Sequence, residues 1–137
     1  MAFLPYLFFG RNCRQAFEHY QSIFGGDLTL VTSADMPPDE QMPGVSPDLI
    51  IHAALQVGDD LLMGSDDPTT ESFPPVQGMR VTYVAPDTTE AQRVFAALAE
   101  GGEVHLQIGQ TSFSPMFGMC ADRFGTPWMI DTAGSEN

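Results

Sequence analysis

The chain has 137 residues, of which 43% are hydrophobic, so it fits one domain with a core of its own and needs no disulfide or metal to hold it together. Eighteen acidic residues face five basic ones for a net charge of -13, and the basic ones are all arginines (Arg11, Arg14, Arg80, Arg93, Arg123). Such a surface repels phosphate backbones and anionic membranes, which argues against nucleic-acid or membrane binding. The two cysteines, Cys13 and Cys120, stand far apart and outside any CxxC spacing, as expected of reduced packing thiols in a cytoplasmic protein.

The opening MAFLPYLFFGR has a short apolar run without a basic n-region or a small-residue cleavage site, so it does not read as a signal peptide. No stretch approaches the roughly 20 apolar residues of a membrane span. Residues 3–9 instead read as a buried strand. Asn12 is expected to cap a helix whose inward stripe is Ala16, Phe17, Tyr20, Ile23 and Phe24, with Arg14, Glu18 and Gln21 outward and His19 solvated beside the stripe. Gly25 and Gly26 end it, the first expected in the left-handed conformation. Strands are predicted over 27–32, 48–57 and 60–64, the last two joined by a tight turn at Gly58 and Asp59.

The same order then repeats. Residues 79–85 read as a strand, and Asp87 with Glu90 resembles a capping box. Ala91, Val94, Phe95 and Leu98 make the inward stripe of a second helix, closed by Gly101 and Gly102. Strands follow over 103–108, 113–121 and 127–131. The joins FGGDLTL and EGGEVHL align glycine for glycine, and β-α-β-β-β occurs twice, which indicates an internal duplication with modules at about 1–68 and 76–133. Two loops separate these elements. Residues 33–47 hold four prolines, which exclude a helix or central strand, and residues 65–78 link the modules.

In the strand over 48–57, alternation puts Ile51, Ala53, Leu55 and Val57 on the helix-packed side and Ile50, His52, Ala54 and Gln56 on the other. His52 there is either a structural hydrogen-bonding group or a general base and substrate contact. Arg80 either pairs with a surface acid or meets an anionic substrate group. His105 is undecided between surface and pocket. Asp66-Asp67-Pro68 reads as a capped turn. Met63, Phe113, Phe117, Cys120, Trp128 and Met129 supply large apolar surface, some of it for a binding cup. No GxSxG and no phosphate loop occurs, so neither a serine hydrolase nor a nucleotide-phosphate site is supported.

Across nearly the whole chain the sequence resembles the PhnB-like branch of the vicinal oxygen chelate superfamily, which includes glyoxalases, bleomycin-resistance proteins and extradiol dioxygenases. The matching residues are Pro5-Tyr6-Leu7, Ala16-Phe17, Phe24-Gly25, Asp35-Met36-Pro37, Ile51-His52-Ala53 with Leu55, and Leu62-Met63 with Asp66. Later come Gly101-Gly102, Phe117-Gly118, and Asp122-Arg123-Phe124-Gly125 with Trp128. The resemblance implies an α+β fold of tandem βαβββ modules with cupped sheets, a funnel-shaped site and a homodimer.

Members of this branch often carry a demethylubiquinone methyltransferase label, yet the chain has no glycine-rich strand-to-helix turn followed by an acidic residue to hold a nucleotide-like methyl donor. Metal-dependent members place one ligand on each of four concave strands. The corresponding positions here are Pro5, His52, one within 79–82, and Trp128 or Met129, with Asp131 slightly late. One ligand in four does not hold a divalent ion. The expectation is therefore a small-molecule-binding protein with a metal-free or degenerate site, formed by His52, Gln56, Met63, Arg80, Phe113 and Trp128, with His52 as the candidate catalytic group and no cofactor. The alternatives are a metal-dependent lyase, isomerase or dioxygenase, and a protein that sequesters a drug or toxin stoichiometrically.

Overall fold

A computed structural model of the chain describes residues 1–41, 43–69 and 76–133. It divides into two compact units, Met1–Pro74 and Pro75–Asn137, each with one α-helix and one four-stranded mixed sheet among the described residues. No helix is long and apolar enough to cross a membrane.

The first unit contains β1 (Tyr6–Phe9), α1 (Cys13–Phe24), β2 (Asp27–Thr32), β3 (Ile50–Val57) and β4 (Asp60–Asp66), with sheet order β1-β4-β3-β2. β1 runs parallel to β4, and the other pairs are antiparallel. The apolar stripe of α1 docks on this sheet: Cys13, Ala16, Phe17, Tyr20 and Ile23 are buried, as are Leu7, Phe9, Ala53 and Leu55 beneath them. The second unit repeats the plan with β5 (Val81–Ala85), α2 (Thr88–Ala99), β6 (Glu103–Gly109), β7 (Phe117–Ala121) and β8 (Pro127–Thr132), in sheet order β5-β8-β7-β6. Ala91, Val94, Phe95 and Leu98 face its sheet, as the spacing predicts. The architecture is thus the expected α+β pair of βαβββ modules.

Several boundaries differ from the sequence reading. β1 starts at Tyr6 because its partner β4 offers its first pairing residue at Met63, and Phe3 is left exposed. β4 continues to Asp66, two residues into the expected linker, whose residues 70–75 lie outside the described residues. The proline-rich loop holds two single-turn 3-10 helices, Ser33–Asp35 and Pro38–Glu40, the second using Pro38 at a first-turn position where no N–H is needed. Residues 113–116 form a loop before β7, turned by Thr111 Oγ1, which accepts from Ser114 N at 3.0 Å.

The helix starts also differ. Asn12 makes no side-chain cap; the buried Asp66 takes that role from β4, its Oδ1 accepting Arg11 N (3.1 Å) and Cys13 N (3.0 Å). In α2 half of the expected capping box forms: Asp87 Oδ1 accepts Glu90 N at 2.8 Å, while the Glu90 carboxylate turns to Arg93. His19 is half-buried beside Tyr20 (ring centroids 6.5 Å apart) and not solvated.

Both cysteines are fully buried and free. Desolvation, helped by the charge of Asp66, pushes the Cys13 thiol up to about 12, and desolvation with Asp122 pushes Cys120 up to about 11. The folded state therefore favours the neutral thiol. Its stabilising contribution is whole below the unfolded thiol's pKa of roughly 8.5 and is lost as pH rises through the folded values. Two results are expected: no reaction of native protein with a thiol reagent at pH 8 until denaturant is added, and a falling urea midpoint above about pH 9 that a Cys13→Ala, Cys120→Ala double variant shows less of. Rapid labelling of both thiols in the native protein would contradict this burial.

Candidate functional site

Each sheet is covered by its helix on one face only, so the side chains of the opposite faces are those able to meet a ligand. In the first unit, residues paired across strands share a face. Tyr6 pairs with Met63, Met63 with Ala54, and His52 with Val31. The open face therefore carries Tyr6, Phe8, His52, Ala54 and Met63, and Tyr6 and Phe8 are exposed.

Tyr6 Oη lies 3.0 Å from His52 Nδ1, with the two rings stacked at 30° and 5.8 Å between centroids. If the phenol donates to Nδ1, the imidazole keeps its proton on Nε2 and offers a donor. If Nδ1–H donates to the phenol oxygen, Nε2 is an acceptor and a base. Either tautomer leaves one ring nitrogen for chemistry while Tyr6 fixes the ring. The sequence hides Tyr6 because residues 3–9, apolar and aromatic throughout, read as a strand buried on both sides. The alternation of exposed Tyr6 and Phe8 with buried Leu7 and Phe9 was the available signal.

The face assignment of β3 is right for His52, Ala53, Leu55 and Gln56 and wrong for Ile50, which is buried at 1% exposure. The cause is a β-bulge: Val31 pairs with His52 and Thr32 with Ile50, so Ile51 is an extra residue and the alternation inverts across it. Met63 sits beside Tyr6 on the open face. Gln56 shares the face but lies four residues, roughly 13 Å, along the strand from His52. Its amide donates to Gly58 O at 3.2 Å in the hairpin turn.

The second unit contains a cavity of about 850 Å³ whose lining includes Met79, Arg80, Thr82, Glu103, His105, Pro127 and Met129. Arg80 NH1 donates to the carbonyls of Cys120 (3.3 Å) and Trp128 (3.2 Å), and NH2 lies 2.8 Å from His105 Nδ1. His105 Nε2 lies 2.9 Å from Glu103 Oε1. A guanidinium can only donate, so Nδ1 accepts, and Nε2 must carry the proton it gives to the carboxylate. The tautomer of His105 is thereby set from both sides. Sequence alternation did not decide the side of His105 because β6 is bulged at this residue, Val104 pairing with Cys120 and Leu106 with Met119.

Trp128 does not line this cavity. It is 2% exposed on the same face of β8 as Ile130 and Thr132, and its Nε1–H donates to Asp122 Oδ2 at 2.8 Å. Strand alternation gives the open face to Met129, its neighbour. Phe113 lies in the loop before β7, 60% exposed, edge-on to Phe117 at 5.0 Å between centroids, and is not among the cavity lining. Asp66 has no exposed oxygen to offer as an acid or base: Oδ2 accepts Ile50 N at 3.0 Å, and the carboxylate is 3% exposed. Ser114 Oγ contacts Asp131 and donates to Met116 O at 3.0 Å, a turn-closing arrangement without a histidine partner.

No group of three or more His, Cys, Asp or Glu side chains gathers among the described residues.

Comparison with known proteins places this geometry. Residues 1–131 match the family described as 3-demethylubiquinone-9 3-methyltransferase. The chain belongs to that family. Among its relatives is protein YjdN from Escherichia coli K12, 29% identical over 99% of this chain and 98% of that one. The structure of protein PA1353 from Pseudomonas aeruginosa superposes with a TM-score of 0.87 at 38% identity, covering 96% of this chain and 97% of that one. A PhnB protein from Bacillus cereus, titled a putative 3-demethylubiquinone-9 3-methyltransferase, gives 0.77 at 25% identity over 97% and 100%. The family's fold is glyoxalase-like. A glyoxalase/bleomycin resistance/dioxygenase family enzyme from Burkholderia phytofirmans shares it at a TM-score of 0.63 and 15% identity, covering 96% of this chain and 98% of that one. The sequence resemblance to the PhnB-like branch and the fold class are both borne out.

Proposed function

We propose that this PhnB-like protein binds a small organic molecule against the open faces of its sheets, without a structural or catalytic metal. The observation that carries the reading is the cavity of the second unit. Its volume of about 850 Å³ lies within the range of small-molecule sites. Its walls combine apolar Met79, Pro127 and Met129 with a few polar groups, Arg80, Thr82, Glu103 and His105. Apolar walls supply affinity, and sparse fixed polar groups supply orientation. His52, held by Tyr6 on the first unit's open face, is the proposed hydrogen-bonding or general-base group. Methyl transfer from a nucleotide-like donor has no support in the residues, because the sequence contains no glycine-rich strand-to-helix turn followed by an acidic residue to hold such a donor.

A thermal-shift screen of small metabolites in excess EDTA tests the reading. A ligand at a hundred times its Kd stabilises the folded state by about 2.7 kcal/mol, which moves the melting temperature by several degrees. At least one compound is expected to do so, and if it seats on the first unit's open face, His52→Ala is expected to weaken its binding about tenfold, the worth of one lost hydrogen bond. If stabilisation occurs only when Zn²⁺, Ni²⁺, Mn²⁺ or Fe²⁺ replaces EDTA, the metal-free reading falls. If His52→Ala changes neither affinity nor any turnover, His52 is not part of the site.

A further inference from the structure

Arg80 is set apart by its place on the cavity together with its partners. Three other arginines pair with carboxylates, Arg14 with Glu18, Arg93 with Glu90 and Arg123 with Glu100, while Arg11, which does not line the cavity, donates to the backbone carbonyl of Asp67. Arg80, in a chain with 18 acidic residues, has no carboxylate at ion-pair distance among the described residues. It is held instead by two backbone carbonyls and an imidazole. These partners fix the guanidinium without neutralising it. They engage three of its five N–H groups, leaving two donors beside the cavity.

The charge next in line does not change this. Glu103 meets the imidazole of His105 and not the guanidinium, and it is mostly solvent-exposed. Both charged side chains line the cavity, and the Glu103 carboxylate is the more solvent-screened of the two.

We propose that this cavity binds a small organic monoanion, a carboxylate on an apolar body, and that Arg80 anchors the carboxylate. The planar fork of a guanidinium matches a carboxylate better than any neutral acceptor. Met79, Pro127 and Met129 receive the body. A single cation with Glu103 nearby disfavours dianions. The net charge of -13 does not forbid the complex, because distant surface charges are screened beyond about 8 Å at physiological salt while a direct contact is not. The inference rests on the small-molecule reading above and names the ligand class for that site.

Benzoate, phenylacetate and cinnamate, each against its primary amide, test it by titration calorimetry at pH 7.5. The carboxylates are expected to bind at least about tenfold more tightly than the amides, the ratio given by a hydrogen bond to a charged group. Arg80→Met and Arg80→Gln should both abolish that preference, and Arg80→Lys should keep part of it. Arg80→Gln guards against a folding failure, since its amide can still donate to a strand carbonyl, and circular dichroism checks each variant. Amides binding as well as carboxylates would overturn the proposal while leaving small-molecule binding intact, as would a preference that survives Arg80→Gln. If the metabolite screen yields ligands but none of these six compounds binds, the anion assignment falls alone. If nothing binds in either experiment, the small-molecule reading falls with it.

Discussion

Asp66→Ala is expected to destabilise the first unit by about 4 kcal/mol, among the largest single-residue effects in the chain. Both oxygens of this carboxylate are committed: Oδ1 to the N–H groups of Arg11 and Cys13, Oδ2 to that of Ile50. It therefore ties the end of β4 to the start of α1 and to the start of β3. Alanine leaves three donors without their acceptor at a buried position, each costing about 1–3 kcal/mol less whatever water can recover. The negative charge at the N-terminus of α1 is lost as well, worth up to about 1 kcal/mol. Asp66→Asn keeps one good acceptor and turns an NH2 toward another donor, so it should fall between the two. Urea unfolding monitored by circular dichroism measures the effect as a lower midpoint. A loss under about 1 kcal/mol for Asp66→Ala would show that water or a local shift replaces the carboxylate.

Gly26→Ala is expected to cost about 4 kcal/mol, while Gly25→Ala should cost only about 1–3 kcal/mol, although the two are adjacent. Gly25 has φ 75° and ψ -156°, a region open essentially to glycine alone, but a Cβ there meets nothing within 4 Å. It is thus not the left-handed helical cap that the sequence suggests; the chain leaves α1 through a more extended turn. Gly26 has φ 88° and also abuts β3: a Cβ would fall 2.2 Å from Gln56 O. Backbone cannot move aside without breaking the β2–β3 ladder, so strain and collision add. The second unit repeats the division of labour. Gly101 has φ 77°, and a Cβ on Gly102 would lie 2.1 Å from Ala121 O. Thermal or urea unfolding of the four single alanine variants checks the order, with the second glycine of each pair the more sensitive. Equal costs for Gly25 and Gly26, or a costlier Gly101 than Gly102, would mean that only the backbone conformation matters.

The glycine pairs explain why the fold was legible. Their alignment, with the three- and four-residue spacing of Ala16, Phe17, Tyr20 and Ile23 and of Ala91, Val94, Phe95 and Leu98, fixes two helix-to-strand joins and hence the repeat. Local physics produces both signals, so a single sequence displays them. What remained illegible depends on partners distant in sequence. Asp66 caps a helix that begins more than fifty residues earlier, and Asn12, in the usual place for a cap, makes none. The bulges at Ile51 and His105 come from strand pairing; the first inverts the face of Ile50, and the second interrupts the alternation at His105. Trp128 belonged to the core and Met129 to the cavity for the same reason: only the register of β8 tells which of two neighbours faces outward. His52 and Met63 were legible as open-face residues, whereas Tyr6, which holds the His52 ring, was not.

The central claim, a small-molecule site on the open sheet faces, is tested most directly by titrating the strongest compound from the EDTA screen into ¹⁵N-labelled protein and following amide shifts. The account predicts saturable changes concentrated at Arg80, Thr82, His105 and Met129, with those of Leu98 and Ile130 on the helix-packed side little affected. Changes concentrated instead on the exposed surfaces of α1 and α2, or no saturable change at all, would contradict it.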